Sequence, residues 1–586
     1  MHRTSKPRIT GSIFRPACLI LAAALISPVL AAPPEAGRDS LASPLPTLHQ
    51  ELPDDQFMPV PREGQPTSSA YRFSSGNFIT VQVNVNAQGQ NIVGDAANEP
   101  SLAIDPTDPG RMVIGWRQFD AVSNNFRQAG YAYSIDGGQS WTFPGVIEPG
   151  VFRSDPVLGA DSQGNFYYNS LTVSGSDYLC TVFKSSDGGA TWDFGTFAQG
   201  GDKQWMTIDK TGGPGRGHIY AYWTQSFSIC FPGFFTRSTD NGAGFEDCVA
   251  IPNQPYWGTL ATGPGGELYA GGAGGNNFIV AKSSNAKDSS QVVSWDFASI
   301  VNLDGSISAF AGSSSPNPGG LMGQAWIAVD CSGGPHHGNV YLLCSVNRFS
   351  NPDPLDVMFG RSTDGGLTWS APARVNDDPA TNLWQWFGTM SLAPNGRIDA
   401  AWLDTRDNPG SINSSLYYSC STDGGVSWSP NERLSDAFNP HLGWPQQNKL
   451  GDYFDMISDE AGAHLAWANT FNGEQDVYYS YIPGPAVGIA DQYGAPAVAG
   501  SFSLSQNYPN PFNPGTRIEF ALTKAAQVEI EVFNIRGEKI AALLNRPLTA
   551  GSYSIEFDGG GLANGVYLYR MKVGNAAKVR KMLLIK

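Results

Sequence analysis

Five octapeptides decide how this chain folds: SIDGGQSW (Ser134–Trp141), SSDGGATW (Ser185–Trp192), STDNGAGF (Ser238–Phe245), STDGGLTW (Ser362–Trp369) and STDGGVSW (Ser421–Trp428). Each encodes a closed turn. The aspartate side chain is expected to bond backbone amides two residues on, the glycines supply positive φ, and the last aromatic folds back as an apolar plug. Asp136, Asp187, Asp240, Asp364 and Asp423, with Trp141, Trp192, Phe245, Trp369 and Trp428, therefore read as structural, because chemistry does not need one group five times. Ser283–Trp295 is a candidate degenerate sixth copy.

Working outward, each turn closes a larger unit that opens on an apolar strand. The openings are EPSLAIDP (Glu99), SDPVLGAD (Ser154), KQWMTIDK (Lys203), YWGTLATG (Tyr256), GQAWIAVD (Gly323), WFGTMSLAP (Trp386) and GDYFDMISD (Gly451). Repeats of roughly 40 to 50 residues with several short strands each predict propeller blades, seven favoured and six possible. The seventh unit ends at DVYYSYI without a closing motif, and NFITVQVNV (Asn77–Val85) alternates at period two ahead of the first unit. That segment is expected to supply the missing outer strand and hide an exposed edge.

The composition agrees with an all-β chain: 586 residues with 68 Gly, 41 Pro, 12% aromatic and only 15% charged residues, and no long apolar stripe at helical spacing. The expected organisation is a signal peptide over 1–32, a flexible leader over 33–76, a propeller over 77–485, a linker over 486–500 and a small Ig-like β-sandwich over 501–586. The signal peptide rests on Arg3, Lys6, Arg8 and Arg15, the apolar run Ala17–Leu30, and small residues at 29, 31 and 32. That run is shorter than the roughly 20 residues a bilayer span needs and is broken by Pro28, and no later segment is long enough, so no transmembrane segment is expected.

The net charge of −16 is uneven. Residues 501–586 hold eleven Lys/Arg and six Asp/Glu, hence +5, leaving −21 for residues 1–500. A body that acidic repels phosphate backbones, which argues against a nucleic-acid partner. Beyond Cys18 there are six cysteines, an even number suited to disulfides in an oxidising compartment. Proximity in sequence favours Cys230 with Cys248 and Cys331 with Cys344. No C-x-x-C spacing, phosphate loop, Ser-His-Asp arrangement or H-E-x-x-H motif is present; His336 and His337, adjacent in a GGPHHGN turn, point apart. No metal and no cofactor is expected.

The S-x-D-G-G-x-x-W copies resemble the Asp-box, or BNR, repeat of the sialidase-like propellers, over roughly residues 98–485. If these turns lie on the lower face, the starts of the first strands and the ends of the second strands surround the axis on the upper face. Those positions hold Glu99, Asp155, Lys203, Trp205, Trp257, Trp386, Asp452 and Tyr453, with Arg117, Arg153, Asp404 and Arg406. Aromatic faces, arginine forks and carboxylates suit a sugar. The same tryptophans suit packing between blades, and Asp404 with Arg406 suits a structural pair. The resemblance implies Tyr453 as nucleophile polarised by Glu99, Asp155 or Asp120 as acid/base, and Arg117, Arg153 and Arg406 as a carboxylate clamp. The Arg-Ile-Pro found early in sialidases has no counterpart: Arg72 is followed by Phe-Ser and Arg153 by Ser-Asp.

The tail resembles the type A C-terminal sorting domain of type IX secretion substrates. The motifs are Asn507–Pro514 (NYPNPFNP), Phe533–Gly537 (FNIRG), Gly565–Tyr567 (GVY) and the basic, apolar ending Lys581–Lys586. The resemblance implies recognition by an outer-membrane translocon and a secreted or surface-attached product that reaches its destination through the periplasm. Two functions remain open: a sialidase-like glycoside hydrolase acting on glycans or glycoproteins, and a non-catalytic propeller that binds glycan or protein at the cell surface.

Overall fold

The computed structural model describes residues 55–485 apart from 352 and 380, and 502–586 apart from 505, 506, 508, 523, 535, 550 and 575. The expected signal peptide, most of the leader and the expected linker lie outside the described residues. The chain divides into two compact units at Ala486/Val487. Among the described residues there is no α-helix.

Among the described residues the larger unit contains seven antiparallel sheets of three to five strands and one two-stranded sheet; six of the seven use strands from one stretch of sequence, and the seventh joins N-terminal strands to the last three of the unit. The innermost strands of the seven are Ala96–Ile104, Ser154–Ala160, Trp205–Ile208, Leu260–Thr262, Trp326–Val329, Gln385–Leu392 and Asp455–Ser458. One cavity of about 300 Å³ is lined by residues from all seven, among them Leu102, Leu158, Met206, Ile327, Met390 and Met456. The sheets thus surround a common axis.

The repeated turns explain how neighbouring sheets lock. Ser134 Oγ accepts the Gly138 amide (2.9 Å), and Asp136 Oδ1 accepts both the Ser134 hydroxyl (2.8 Å) and the Ser140 amide (2.9 Å). The aspartate therefore caps an amide four residues on. Gly138 is fixed by position as well as by its φ of 81°, since a Cβ there would lie 2.3 Å from the Tyr479 ring. Trp141 of the first sheet packs on Tyr479 of the seventh, Trp192 of the second on Tyr131 of the first, and Trp428 of the sixth on Phe359 of the fifth. Ser283–Trp295 keeps the device with Asn285 in the aspartate's place: Asn285 Oδ1 accepts the Ser294 amide at 2.9 Å, and Trp295 packs on Phe235 of the third sheet.

Phe78–Gln82 pairs with Asp476–Pro483, so the N-terminal segment completes the seventh sheet. Part of the expected leader is corrected. Thr67–Ser69 pairs with Gln90–Ile92, and Arg72–Ser75 adds a fifth strand outside Phe78–Gln82. Aromatic anchors hold this segment despite its Pro- and Ser-rich composition: Phe57 meets Phe126 at 5.4 Å and Tyr71 stacks on Phe471 at 4.4 Å.

Cys230 and Cys248 form a disulfide. Cys331 and Cys344 do not; both are free thiols, as are Cys180 and Cys420. The register gives the reason. Val329 pairs with Val340 and Trp326 with Leu343, which sets Cys344 opposite residue 325, six residues back along the hairpin from Cys331. At about 3.3 Å per residue the two are roughly 20 Å apart.

The smaller unit has a three-stranded sheet, Phe502–Leu504, Gly515–Leu522 and Gly551–Asp558, and a four-stranded one, Lys539–Leu548, Ala526–Asn534, Gly565–Val573 and Ala576–Leu584. Ile518 and Phe520 of the first share one core with Val528, Ile530, Tyr569 and Met571 of the second.

Candidate functional site

The inner strands begin in an unusual way. Glu99, Asp155, Lys203, Trp257 and Phe387 all have left-handed backbones, with φ between 48° and 57°, and Gly451 sits at 107°. The five non-glycine residues occupy one place in the repeat, two residues before Ser101, Val157, Trp205 and Thr389 of their inner strands and before Thr259, which directly precedes its own. Pairing slips there between Asn98 and Ser101 and between Trp386 and Thr389. Left-handed geometry costs such residues on the order of 1–3 kcal/mol each, so the surroundings must hold it.

Those surroundings are a charged network. Glu99 Oε1 lies 3.1 Å from Arg117 and 3.3 Å from Lys449 Nζ. Lys449 lies 2.7 Å from Asp452, Asp452 lies 2.6 Å from Lys203, and Lys203 lies 3.3 Å from Asp155. Three cations meet three carboxylates, and none of the six side chains is more than 7% exposed. Burial pushes the Glu99 carboxyl upward, and Arg117 and Lys449 pull against it. Neutral groups complete the network: Arg117 Nε donates to Asn98 Oδ1 (2.9 Å), and Asn98 donates to Gln475 Oε1 (2.7 Å).

The network is closed on both sides. Below it, Trp205 meets Trp326 at 5.1 Å and Tyr453 at 5.6 Å, edge to face. Above it, the Leu321 amide donates to Asp452 Oδ1 (2.8 Å), Asn317 Nδ2 donates to the Gly451 carbonyl (2.8 Å), and the Gly319 amide donates to the Asn448 carbonyl (2.7 Å).

The sequence-derived groups thus separate. Glu99, Arg117, Asp155, Lys203 and Asp452 come together, with Tyr453 beside them. The Tyr453 hydroxyl donates to the Pro156 carbonyl at 2.8 Å, and burial together with Glu99 and Asp155 pushes it well above its ordinary value. That proton is held on the oxygen a nucleophile would have to expose. The three arginines occupy three separate networks. Arg117 pairs with Glu99; Arg153 pairs with Glu148 (2.5 Å) and donates to Thr181 Oγ1 (3.0 Å); Arg406 binds Asp404 (2.8 Å) and Asp377 (2.6 Å) and lies over Tyr417. Asp120 accepts from Gln128 Nε2 at 3.0 Å.

The tryptophans are packed. Trp386 is fully buried, donates to Ser414 Oγ and touches Phe387; Trp257 is buried against Tyr256. His336 sits against Gly424 of the next turn and His337 Nδ1 against the Ser332 carbonyl. Lys449 was not legible as a site residue, because it lies ahead of the seventh unit in a loop with no repeat to align it. Among the described residues, no three His, Cys, Asp or Glu side chains are arranged to hold a metal ion.

Comparison with known proteins bears first on the tail, where residues 506–586 match the family model of the secretion system C-terminal sorting domain. This chain carries a secretion sorting domain. The protein is therefore secreted or attached to the outer membrane, and among the described residues no helix is long and apolar enough to cross a membrane. The body is similar to a xyloglucanase of a Paenibacillus species, 25% identical over a 416-residue alignment that covers 62% of this chain and 36% of the relative. The chain spans about a third of that enzyme's length. Among solved structures, it is similar to the GH93 α-L-arabinofuranosidase of Fusarium graminearum (13% identity, 70% of this chain and 98% of that one, TM-score 0.37). It is likewise similar to the Trypanosoma rangeli sialidase (10% identity, 87% and 90%, TM-score 0.36).

Proposed function

We propose that this is a seven-bladed Asp-box propeller, exported with a cleaved N-terminal signal and passed through type IX secretion by its C-terminal domain, that binds polysaccharide at the cell surface without cleaving it. The observation that carries the reading is the closed axial network. Hydrolysis needs a carboxyl group and a nucleophile that can reach a glycosidic bond. Here Glu99, Asp155 and Tyr453 are buried and matched to cations or a backbone carbonyl, and Arg117, Arg153 and Arg406 have no common point to clamp. These groups lie in ion pairs or a backbone hydrogen bond inside the body instead of facing an open cleft, which favours a positioning role over a catalytic one. A polysaccharide ligand is supported by the similarity to a xyloglucanase.

The test is to incubate the purified full chain with a polysaccharide panel that includes xyloglucan, arabinan and sialylated glycans, measuring retention and product release separately. Retention without release is the expected result. Release that disappears in Asp155→Asn would establish a hydrolase instead.

A further inference from the structure

With the axis closed, a polysaccharide must be held elsewhere on the body, and the edge of the seventh sheet offers a place. The sixth sheet ends in an outer strand of only two residues, Glu432–Arg433. The seventh carries the extra fifth strand Arg72–Ser75, so its outer part extends past its neighbour. Strand alternation sorts the side chains. Arg72 points to one side and donates to the Gln139 carbonyl of the first sheet's turn (2.8 Å), whereas Tyr71 and Phe73 face the other side, toward the sixth sheet.

The result is an open groove of about 250 Å³ whose lining includes Tyr71, Phe73, Phe78, Glu432, Arg433 and Asp436. Phe73 is 41% exposed, although it is a large apolar residue on a strand. Opposite it, the Arg433 guanidinium and the Asp436 carboxylate lie 3.7 Å apart, with Asp436 90% exposed. An aromatic face takes the C–H face of a pyranose, carboxylates accept from hydroxyls, and a guanidinium donates to ring and hydroxyl oxygens. Charges of both signs, side by side, favour a neutral polyhydroxyl ligand over a polyanion or a polycation. The volume falls below the roughly 300–1,000 Å³ of sites that engulf small molecules, which suits one unit of a chain lying across the surface.

We infer that this groove between the sixth and seventh sheets is a carbohydrate subsite for a neutral polysaccharide chain, with Phe73 as the stacking platform and Arg433 and Asp436 as the hydroxyl-binding pair. The inference rests on the polysaccharide-binding reading above.

The experiment measures the affinity of the full chain for soluble xyloglucan, by affinity electrophoresis and calorimetry, for the wild type, Phe73→Ala, Asp436→Ala and the distant exposed control Phe194→Ala. Thermal unfolding of each variant checks its fold, and the solvent-exposed Asp436 covers the case in which Phe73→Ala is unstable. The expected result is at least a tenfold loss in both groove variants and none in the control. Wild-type binding that survives both groove substitutions overturns the subsite and leaves the binding function standing. Absence of wild-type binding across the whole panel overturns both.

Discussion

Replacing Lys203 with methionine keeps the volume of the side chain and removes the charge that joins Asp155 to Asp452, at 3.3 Å and 2.6 Å. The axial network then holds two cations against three carboxylates with almost no water to screen them. Breaking a buried charge pair from one side costs about 3–5 kcal/mol. Unfolding entropy of roughly 2.1 cal/mol/K per residue, over about 430 ordered residues of the body, gives about 0.9 kcal/mol/K, so Tm should fall by about 3–6 °C. The double variant Lys203→Met/Asp155→Asn restores neutrality and should recover more than half of the loss. Thermal unfolding followed by circular dichroism reads both. A Lys203→Met variant within about 1 °C of wild type would mean that solvent reaches the network and that the axis is not a sealed scaffold.

Other outcomes follow from particular side chains. Asp455 is buried, and burial lifts its carboxyl from 3.8 to about 6 despite hydrogen bonds from Ser101 Oγ and the Leu102 amide. The folded state then holds this proton more tightly than the unfolded one, so the contribution of Asp455 to stability is lost as pH rises from about 4 to 6, by up to about 3 kcal/mol. The stability of Asp455→Asn relative to wild type should accordingly improve between pH 4 and 7 in chemical denaturation, and a gap that does not change with pH would refute this. Thiol labelling of the native body should modify Cys331 alone, reach Cys180, Cys344 and Cys420 only after unfolding, and reach Cys230 and Cys248 only after reduction; fast native labelling of Cys344 would contradict its burial.

The scaffold was legible because it repeats. Five copies of one turn fixed the positions of glycine, aspartate and aromatic residues, and each of the seven openings leads into an inner strand, five of them through a left-handed residue at the same place. The ring partner Asn77–Val85 was legible from its alternation. Arg72–Ser75 was not, because four exposed residues carry no apolar period, and their place is set by pairing with Phe78–Gln82. The candidate site was half legible. Position within a repeat brings Glu99, Asp155, Lys203 and Asp452 to one axis, but whether they face solvent depends on residues 317–322 and on Lys449, which belong to no repeat. Arg153 and Arg406 each found acids close in sequence, Glu148 and Asp404, and local pairing took both away from the axis. The Cys331–Cys344 expectation failed because nearness in sequence along a hairpin is distance in space.

The central claim is that the charged axis is scaffold and that the protein holds polysaccharide without cutting it. Its most direct test is release of reducing ends from xyloglucan, arabinan and a fluorogenic sialoside by the full chain over a long incubation, beside Asp155→Asn and Tyr453→Phe. The account predicts binding with no release by any of the three proteins. Steady release by the wild type that is abolished in either variant would contradict it.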